Sequence, residues 1–312
     1  MKRLNILVIC GGTSPEADVS RQTGKALFDS CKRLGHNATL LDIPEIEFMK
    51  TPDMLERFDL VVVGYHGTLG EDGHIQAYLE TVGIPFTGSG MMASSICMNK
   101  ELTKRILEDI GIPTPPWSII GINDNRTVIG EKISHLHYPL FVKPNSQGST
   151  IGGSFVENSS SLLDALHLAF QYSRKAIVEE YISGRELAVG IVGETVLPAL
   201  EIVPKGGLYD YKHKYQDGLT EYIVPANIPE LVAASLKRDS WRAFTAIGCS
   251  GYARADIRYD GKRYYFLEIN NLPGMTSHSL VPKAAAAIGM GFDNIAEKII
   301  DEAINPRRRY VQ

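Results

Sequence analysis

Apolar runs in the first third of the chain stop repeatedly at glycine. Residues 4–10 are apolar except at Asn5, and the run ends at Gly11 and Gly12. A helical pattern follows over about 20–34 and ends at Gly35, a residue suited to a helix C-terminus. Residues 38–41 and Leu60–Val63 read as further buried strands, the second stopping at Gly64, Tyr65, His66 and Gly67. Strand, helix, strand, with glycine just past the strand ends, predicts an open parallel sheet with ligands at the carboxyl ends of its strands. That places Glu16, His66 and the Gly70-Glu71-Asp72-Gly73 turn near one crevice. Glycines also serve as plain turn residues, so no single loop carries a site by itself.

Residues 99–110 form an amphipathic pattern closed by Gly111, and Pro113, Pro115 and Pro116 mark a boundary after it. The next region predicts a strand over 138–142, a glycine-rich loop, a helix over 160–172 and a strand over 176–181. Beyond it lie further strand patterns, a polar and aromatic loop around 209–222, and a helix over 229–247. No internal repeat or low-complexity tract interrupts them. The pattern divides the chain into 1–97, 98–181 and 182–312.

Residues 251–275 hold two apolar and aromatic runs around Tyr259, Asp260 and Gly261, which reads as a β-hairpin. Arg254 and Asp256 are two apart and share a face, as do Glu268 and Asn270. A three-residue loop with Gly261 in the left-handed conformation predicts a register that points all four the same way. A loop of even length would separate Asp256 from Glu268. Two carboxylates and an amide oxygen form an all-oxygen set suited to Mg²⁺ on nucleotide phosphates, and Arg254 beside them suits a phosphoryl group or an oxyanion. The same alternation also describes a solvated strand face.

Composition narrows the class. The 312 residues are 44% apolar and 22% charged, with a net charge of −4 and no long basic block. A core-forming chain of two or three domains is expected, with no nucleic-acid surface. The short run Pro306, Arg307, Arg308, Arg309 reads as a solvated end. Cys10, Cys31, Cys97 and Cys249 are scattered without zinc spacing, which fits a reducing cytoplasm. The opening apolar run is short and ends in glycines and then charge, so it reads as a buried strand and not a secretory leader. No apolar segment is long enough to cross a membrane.

Two further segments carry chemistry. Lys143 opens a loop of small residues reaching Gly153, where backbone N–H groups and an ammonium suit phosphate oxygens. The closing Gly-Lys-Ser/Thr of a Walker loop is missing, and a hairpin loop needs much the same residues. Residues 177–182 then read as a strand bearing Glu179 and Glu180, followed by Glu186. An adenine ring needs an apolar slot, an acceptor and a backbone edge, and a later carboxylate can hold a ribose. An edge strand with exposed glutamates has the same pattern.

Phosphate loop, adenine strand and carboxylate hairpin, in that order, resemble an ATP-grasp enzyme. Within that superfamily the chain resembles the D-alanine–D-alanine ligase family from end to end. The matching segments are 11–20, His66-Gly-Thr-Leu-Gly-Glu-Asp-Gly73, 87–90, 143–152, 209–215, 249–256, Glu268-Ile-Asn-Asn-Leu-Pro-Gly-Met275 and 277–280. The resemblance implies a three-domain α/β ATP-grasp fold with an N-terminal Rossmann-like parallel sheet. It also implies ATP-dependent, ADP-forming joining of two D-alanine molecules through D-alanyl phosphate, for peptidoglycan precursors. A related ligase taking D-serine or D-lactate second is the same-fold alternative. A non-catalytic ATP-binding protein is a different one, and no Gly-x-Ser-x-Gly elbow supports a hydrolase.

By the same resemblance, Lys100 and Lys143 contact ATP phosphates, Glu179 meets the adenine amino group, Tyr181 and Ile182 line the adenine slot, and Glu186 holds the ribose. Asp256, Glu268 and Asn270 would bind two Mg²⁺ ions, with Mn²⁺ able to substitute. Lys214, in the mobile loop within 203–222, would reach the γ-phosphate. Glu16 would hold the ammonium of the first D-alanine, linked to Ser149 and Tyr215, with His66 nearby. Arg254 and the Gly274 N–H would stabilise the oxyanion, while Ser279 and Leu280 would receive the second D-alanine. Tyr215 favours an amine nucleophile, and the neighbouring His213 is not the lactate switch. A cytoplasmic homodimer, joined through the N-terminal domain, is implied. Asn99, Glu180 and Asn271 depart from the family's usual aspartate, lysine and threonine.

Overall fold

The computed structural model describes residues 2–205 and 219–305. Lys214, Tyr215, His213, most of the 203–222 loop and the basic run at 306–309 lie outside the described residues. Three sheets organise the rest. Asn37–Asp42, Asn5–Cys10 and Leu60–Val63 form a parallel sheet in that order, extended by a bridge between Val61 and Phe86. Residues 6–9 and 60–63 are buried, as expected for parallel strands covered on both faces.

The crossover helix between the first two strands spans Ala17–Arg33, starting before the predicted position. It lies very close to the sheet because position 24 is glycine. A Cβ there would stand 2.4 Å from that of Cys10. Glu16 flanks the helix start but makes no side-chain capping bond. Its carboxylate is directed elsewhere.

The second sheet is antiparallel, in the order Trp117–Gly121, Lys175–Glu180, Leu140–Pro144, Ser154–Val156. Lys143 therefore sits inside a strand, and the small-residue loop joins that strand to its hairpin partner Ser154–Val156. The third sheet runs Thr220–Ile223, Leu200–Pro204, Arg185–Val192, Tyr252–Tyr259, Tyr264–Asn270, with Thr195–Val196 paired to Arg185–Val192.

Alternation along Arg185–Val192 ties this third sheet to two cores. Leu187, Val189 and Ile191 pack with Leu107, Phe244 and Ile247 on one face. Ala188 and Val192 join Val281, Ile295 and Ile299 on the other, in a cluster continuous with the parallel sheet. A third cluster holds Leu140, Val142, Val156, Leu166 and Val178. Among the described residues no helix is long and apolar enough to cross a membrane.

The hairpin corrects one expectation. The last strand pair is Tyr259 with Tyr264, so four residues, 260–263, make the turn. Gly261 is left-handed at φ 94°, and the Asp260 carboxylate accepts from the Lys262 and Arg263 N–H groups at 2.7 and 2.6 Å. An even turn alone would separate the two carboxylates. A β-bulge intervenes: Ile257 pairs with Phe266 and Asp256 with Glu268, leaving Leu267 as the extra residue. Asp256 thus faces Glu268, and Arg254 faces Asn270.

Candidate active site

Two clefts open between the sheets, and Lys100 and Glu268 border both. The larger, of about 560 Å³, reaches the carboxyl end of the parallel sheet. There the buried Glu16 carboxylate accepts a short hydrogen bond from Ser149 Oγ. Ser149 and Thr150 both have positive φ, 49° and 60°, so the loop carries strain of roughly 1–3 kcal/mol per residue to lie this way. Gly148 is pressed against the Glu16 and Glu71 carboxylates, and a Cβ would stand 3.4 Å from an oxygen of each.

His66 is buried beside them. Its Nδ1 lies 3.6 Å from Glu71 Oε2 and its Nε2 lies 3.0 Å from Thr23 Oγ1. The ring thus lies between a carboxylate on its Nδ1 side and a hydroxyl hydrogen-bonded at Nε2. Thr23 in turn accepts from the Met275 N–H at 3.3 Å, tying the parallel sheet to the loop after the hairpin. In that loop a Cβ on Gly274 would stand 3.1 Å from Ser279 Oγ. Ser279 accepts from the Thr276 N–H at 3.0 Å at the start of the helix Leu280–Ala286. Gly274, Ser279 and Leu280 all line the larger cleft.

The hairpin face forms the junction. Arg254 grips Asp256 with two bonds of 2.6 and 2.7 Å. Lys100 Nζ lies 2.9 Å from Glu268 Oε2 and donates to the Gln147 carbonyl at 2.9 Å. Asn270 Oδ1 accepts from the Leu272 N–H at 3.0 Å. Among the described residues no group of three His, Cys, Asp or Glu side chains suits a metal. The donor set here is two directly paired carboxylates plus an amide oxygen, hard oxygens that fit a magnesium ion.

The smaller cleft, of about 330 Å³, is lined by Phe141, Ile151, Phe155, Tyr181, Ile182 and Leu267 among others. Arg258 organises its far end, donating to the Ile182 carbonyl at 2.9 Å, to Glu186 at 3.2 Å and to the Tyr181 hydroxyl at 3.0 Å. Glu179 turns inward. Its Oε1 lies 2.6 Å from Lys143 Nζ and its Oε2 lies 2.8 Å from Lys104 Nζ. Burial opposes ionisation of all three groups. For Glu179 the two ammoniums prevail and hold its carboxyl below the usual range. For Lys143 the carboxylates of Glu179, Glu268 and Asp256 outweigh burial and push it up, whereas burial leaves Lys104 lowered.

The structure thus gathers Glu16, His66, Ser149, Arg254, Gly274, Ser279 and Leu280 at one cleft and Lys143, Glu179, Tyr181, Ile182 and Glu186 at the other. Glu71 lines the larger cleft with Glu16 and His66, where its turn was expected, whereas Lys104 and Arg258 were given no role by sequence reasoning. Arg258 continues the two-residue alternation of Arg254 and Asp256, so its face was readable. Lys104 is one helical turn from Lys100, but nothing in the sequence marks it as buried. Asn99 caps the helix Lys100–Asp109 by accepting from the Leu102 N–H at 3.2 Å. Asn271 donates to Ser94 Oγ at 2.8 Å, and Glu180 accepts from the His137 N–H at 2.9 Å. All three departures from the family pattern are engaged in hydrogen bonds.

Residues 106–301 match the family model described as D-ala D-ala ligase C-terminus, and residues 44–89 match the D-ala D-ala ligase N-terminus. A curated D-alanine–D-alanine ligase of Syntrophotalea carbinolica is 41% identical over 304 residues, covering 96% of each chain. The crystal structure of D-alanine–D-alanine ligase from Bacillus anthracis complexed with ATP has a TM-score of 0.86 at 30% identity, over 98% of this chain and 99% of that one. The VanG D-Ala:D-Ser ligase from Enterococcus faecalis follows with a TM-score of 0.85 at 28% identity, over 96% and 99%.

Proposed function

Because the chain belongs to the D-alanine–D-alanine ligase family of ATP-grasp enzymes, we propose that it joins two D-alanine molecules into D-alanyl-D-alanine using ATP. The observation that carries this reading is the shared border of the two clefts at Lys100 and Glu268. A triphosphate entering from the apolar slot ends beside a carboxylate held near Glu16.

A carboxylate is a poor electrophile, so it must be activated before an amine can attack. An oxygen of the first D-alanine carboxylate bonds to the γ-phosphorus, and the bond to the β–γ bridging oxygen breaks to release ADP. The second D-alanine's amine then attacks the acyl carbon, loses a proton, and inorganic phosphate departs. Lys100 and Lys143 hold phosphate oxygens in this scheme. Asp256, Glu268 and Asn270 would hold two Mg²⁺ ions, or Mn²⁺, which supply charge neutralisation at the triphosphate.

Glu16, kept in place by Ser149, receives the first substrate's ammonium, with His66 and Glu71 as its buried support. Arg254 and the Gly274 N–H face the oxyanion of the tetrahedral intermediate, an interaction of roughly 3–4 kcal/mol per donor. Ser279 and Leu280 take the second carboxylate. Tyr181 and Ile182 enclose the adenine and Glu186 takes the ribose. Glu179 acts next to Lys143. Lys214 and Tyr215, outside the described residues, are assigned to the γ-phosphate and to the Glu16–Ser149 pair. Four cysteines without disulfides support a cytoplasmic enzyme, and family resemblance supports a homodimer feeding peptidoglycan synthesis.

Product analysis with D-alanine alone, and then with D-serine or D-lactate added, tests the specificity. D-alanyl-D-alanine is expected to dominate at neutral pH. A depsipeptide or D-alanyl-D-serine exceeding it would contradict the reading.

A further inference from the structure

Among the described residues, the lysines and arginines on the wall of the larger cleft are Lys100, Arg254 and Lys283. Lys100 lies 2.9 Å from Glu268, and Arg254 is bonded to Asp256 at 2.6 and 2.7 Å. Lys283 has no carboxylate partner among the described residues, and its ammonium stands 5.1 Å from the centre of the Tyr222 ring. We propose that Lys283 is a specificity-determining residue for the second substrate, its ammonium receiving the carboxylate of the incoming amino acid beside Ser279 and Leu280. This rests on the reading that the larger cleft takes two amino acids.

The local fold sets the lysine there. Lys283 follows Ser279 by four residues, and its backbone N–H donates to the Ser279 carbonyl at 3.2 Å within the helix Leu280–Ala286. Positions four apart share a helix face, and both residues line the cleft. Tyr222, on the strand Thr220–Ile223, lines it too. A ring face attracts an ammonium without cancelling its charge, so the half-buried Lys283 is held against the wall and still bears a full positive charge.

The two substrate carboxylates have different fates. The first is consumed when it becomes an acyl phosphate. The second stays an anion from binding to product. Ser279 offers it a hydroxyl and Leu280 a backbone N–H, both of them neutral. Glu16, Glu71 and Glu268 line the same cleft, so an anion held by neutral donors alone would lose hydration among like charges. Lys283 supplies the missing counter-charge. An amine without a carboxylate would leave that ammonium unmatched, which gives the cleft a means of rejecting simple amines.

Initial-velocity kinetics at saturating ATP and Mg²⁺ separate the KM values of the two D-alanine molecules, with thermal melting as the control for folding. Lys283→Met is similar in length and uncharged. It is expected to raise the KM of the second D-alanine by about tenfold, the scale of a partly exposed charge-assisted contact. The KM values of the first D-alanine and of ATP should stay within about twofold of wild type. Lys283→Arg keeps the charge and should stay within about threefold for all three. If Lys283→Met does not fold, Lys283→Gln is read in the same way. An unchanged second KM in the folded neutral variant overturns the proposal. So does a parallel rise in all three KM values, which would make Lys283 a structural support for Tyr222, or a loss in Lys283→Arg as large as in Lys283→Met. A wild-type chain that forms no D-alanyl-D-alanine would instead overturn the functional reading beneath it.

Discussion

Ser149 shows how a single hydroxyl can be placed by two unrelated pieces of chain. Glu16 stands where side chains often cap a helix, but it makes no capping bond and accepts from Ser149 instead. The serine reaches it because residues 149 and 150 adopt a left-handed backbone without being glycine. Strain concentrated in two neighbouring non-glycine residues is characteristic of a functional loop. Ser149→Ala removes a hydrogen bond to the Glu16 side chain, a contact of about 1.5–3 kcal/mol when the acceptor is charged. Steady-state kinetics with D-alanine varied at saturating ATP and Mg²⁺ should therefore show a KM raised by roughly ten- to a hundredfold. An unchanged KM would detach Ser149 from substrate binding.

At the scale of elements, the hairpin carries most of the proposed metal and oxyanion residues, and its geometry depends on a feature that periodicity does not display. Alternation placed Arg254, Asp256, Glu268 and Asn270 on one face. The turn is even, and the bulge at Leu267 supplies the missing residue. A bulge has no strong local signature, since Leu267 is an ordinary apolar residue in an apolar run.

The parallel sheet was more legible. Leu60–Val63 coincides with its predicted limits because a fully buried strand must be continuously apolar. Lys104 was not legible at all. Its helix was predicted, but a lysine's burial depends on a carboxylate 75 positions later, Glu179.

Contacts between elements are equally hidden. Gly184 precedes the strand Arg185–Val192, and a Cβ there would fall 2.3 Å from the Tyr259 carbonyl oxygen at the end of the hairpin strand. Its φ of 134° is also poorly suited to other residues. Gly184→Ala cannot be relieved by a side chain moving aside, so the hairpin and the segment leading into Arg185–Val192 must separate. The KM for ATP is expected to rise by about tenfold or more, with a lowered melting temperature. A variant that melts and binds ATP as wild type does would show that this close approach is dispensable.

For the whole molecule, the clefts exist because three sheets meet. Segments beyond the carboxyl ends of the parallel strands contribute Glu16, His66 and Glu71. The second sheet brings Lys143 and Glu179, and its loop brings Ser149. The third contributes Glu186, Arg254, Asp256, Arg258, Glu268 and Asn270. The core shared by the parallel sheet and one face of the third sheet sets two of these groups relative to each other. Thr23, between His66 and the Met275 N–H, repeats that link in polar form inside the site.

Glu268 is a residue at which the two clefts meet. It pairs across the hairpin with Asp256, receives Lys100, and borders both clefts. The most direct measurement is D-alanine-dependent ADP release with Mg²⁺ by the wild-type chain and by Glu268→Gln, which keeps the shape and removes the charge. Wild type is expected to release ADP only when D-alanine is present. The folded variant should lose at least about a hundredfold of that rate, since even outer-shell changes at metal sites cost ten- to a hundredfold. Retained activity in Glu268→Gln, or ADP release indifferent to D-alanine, would contradict the account.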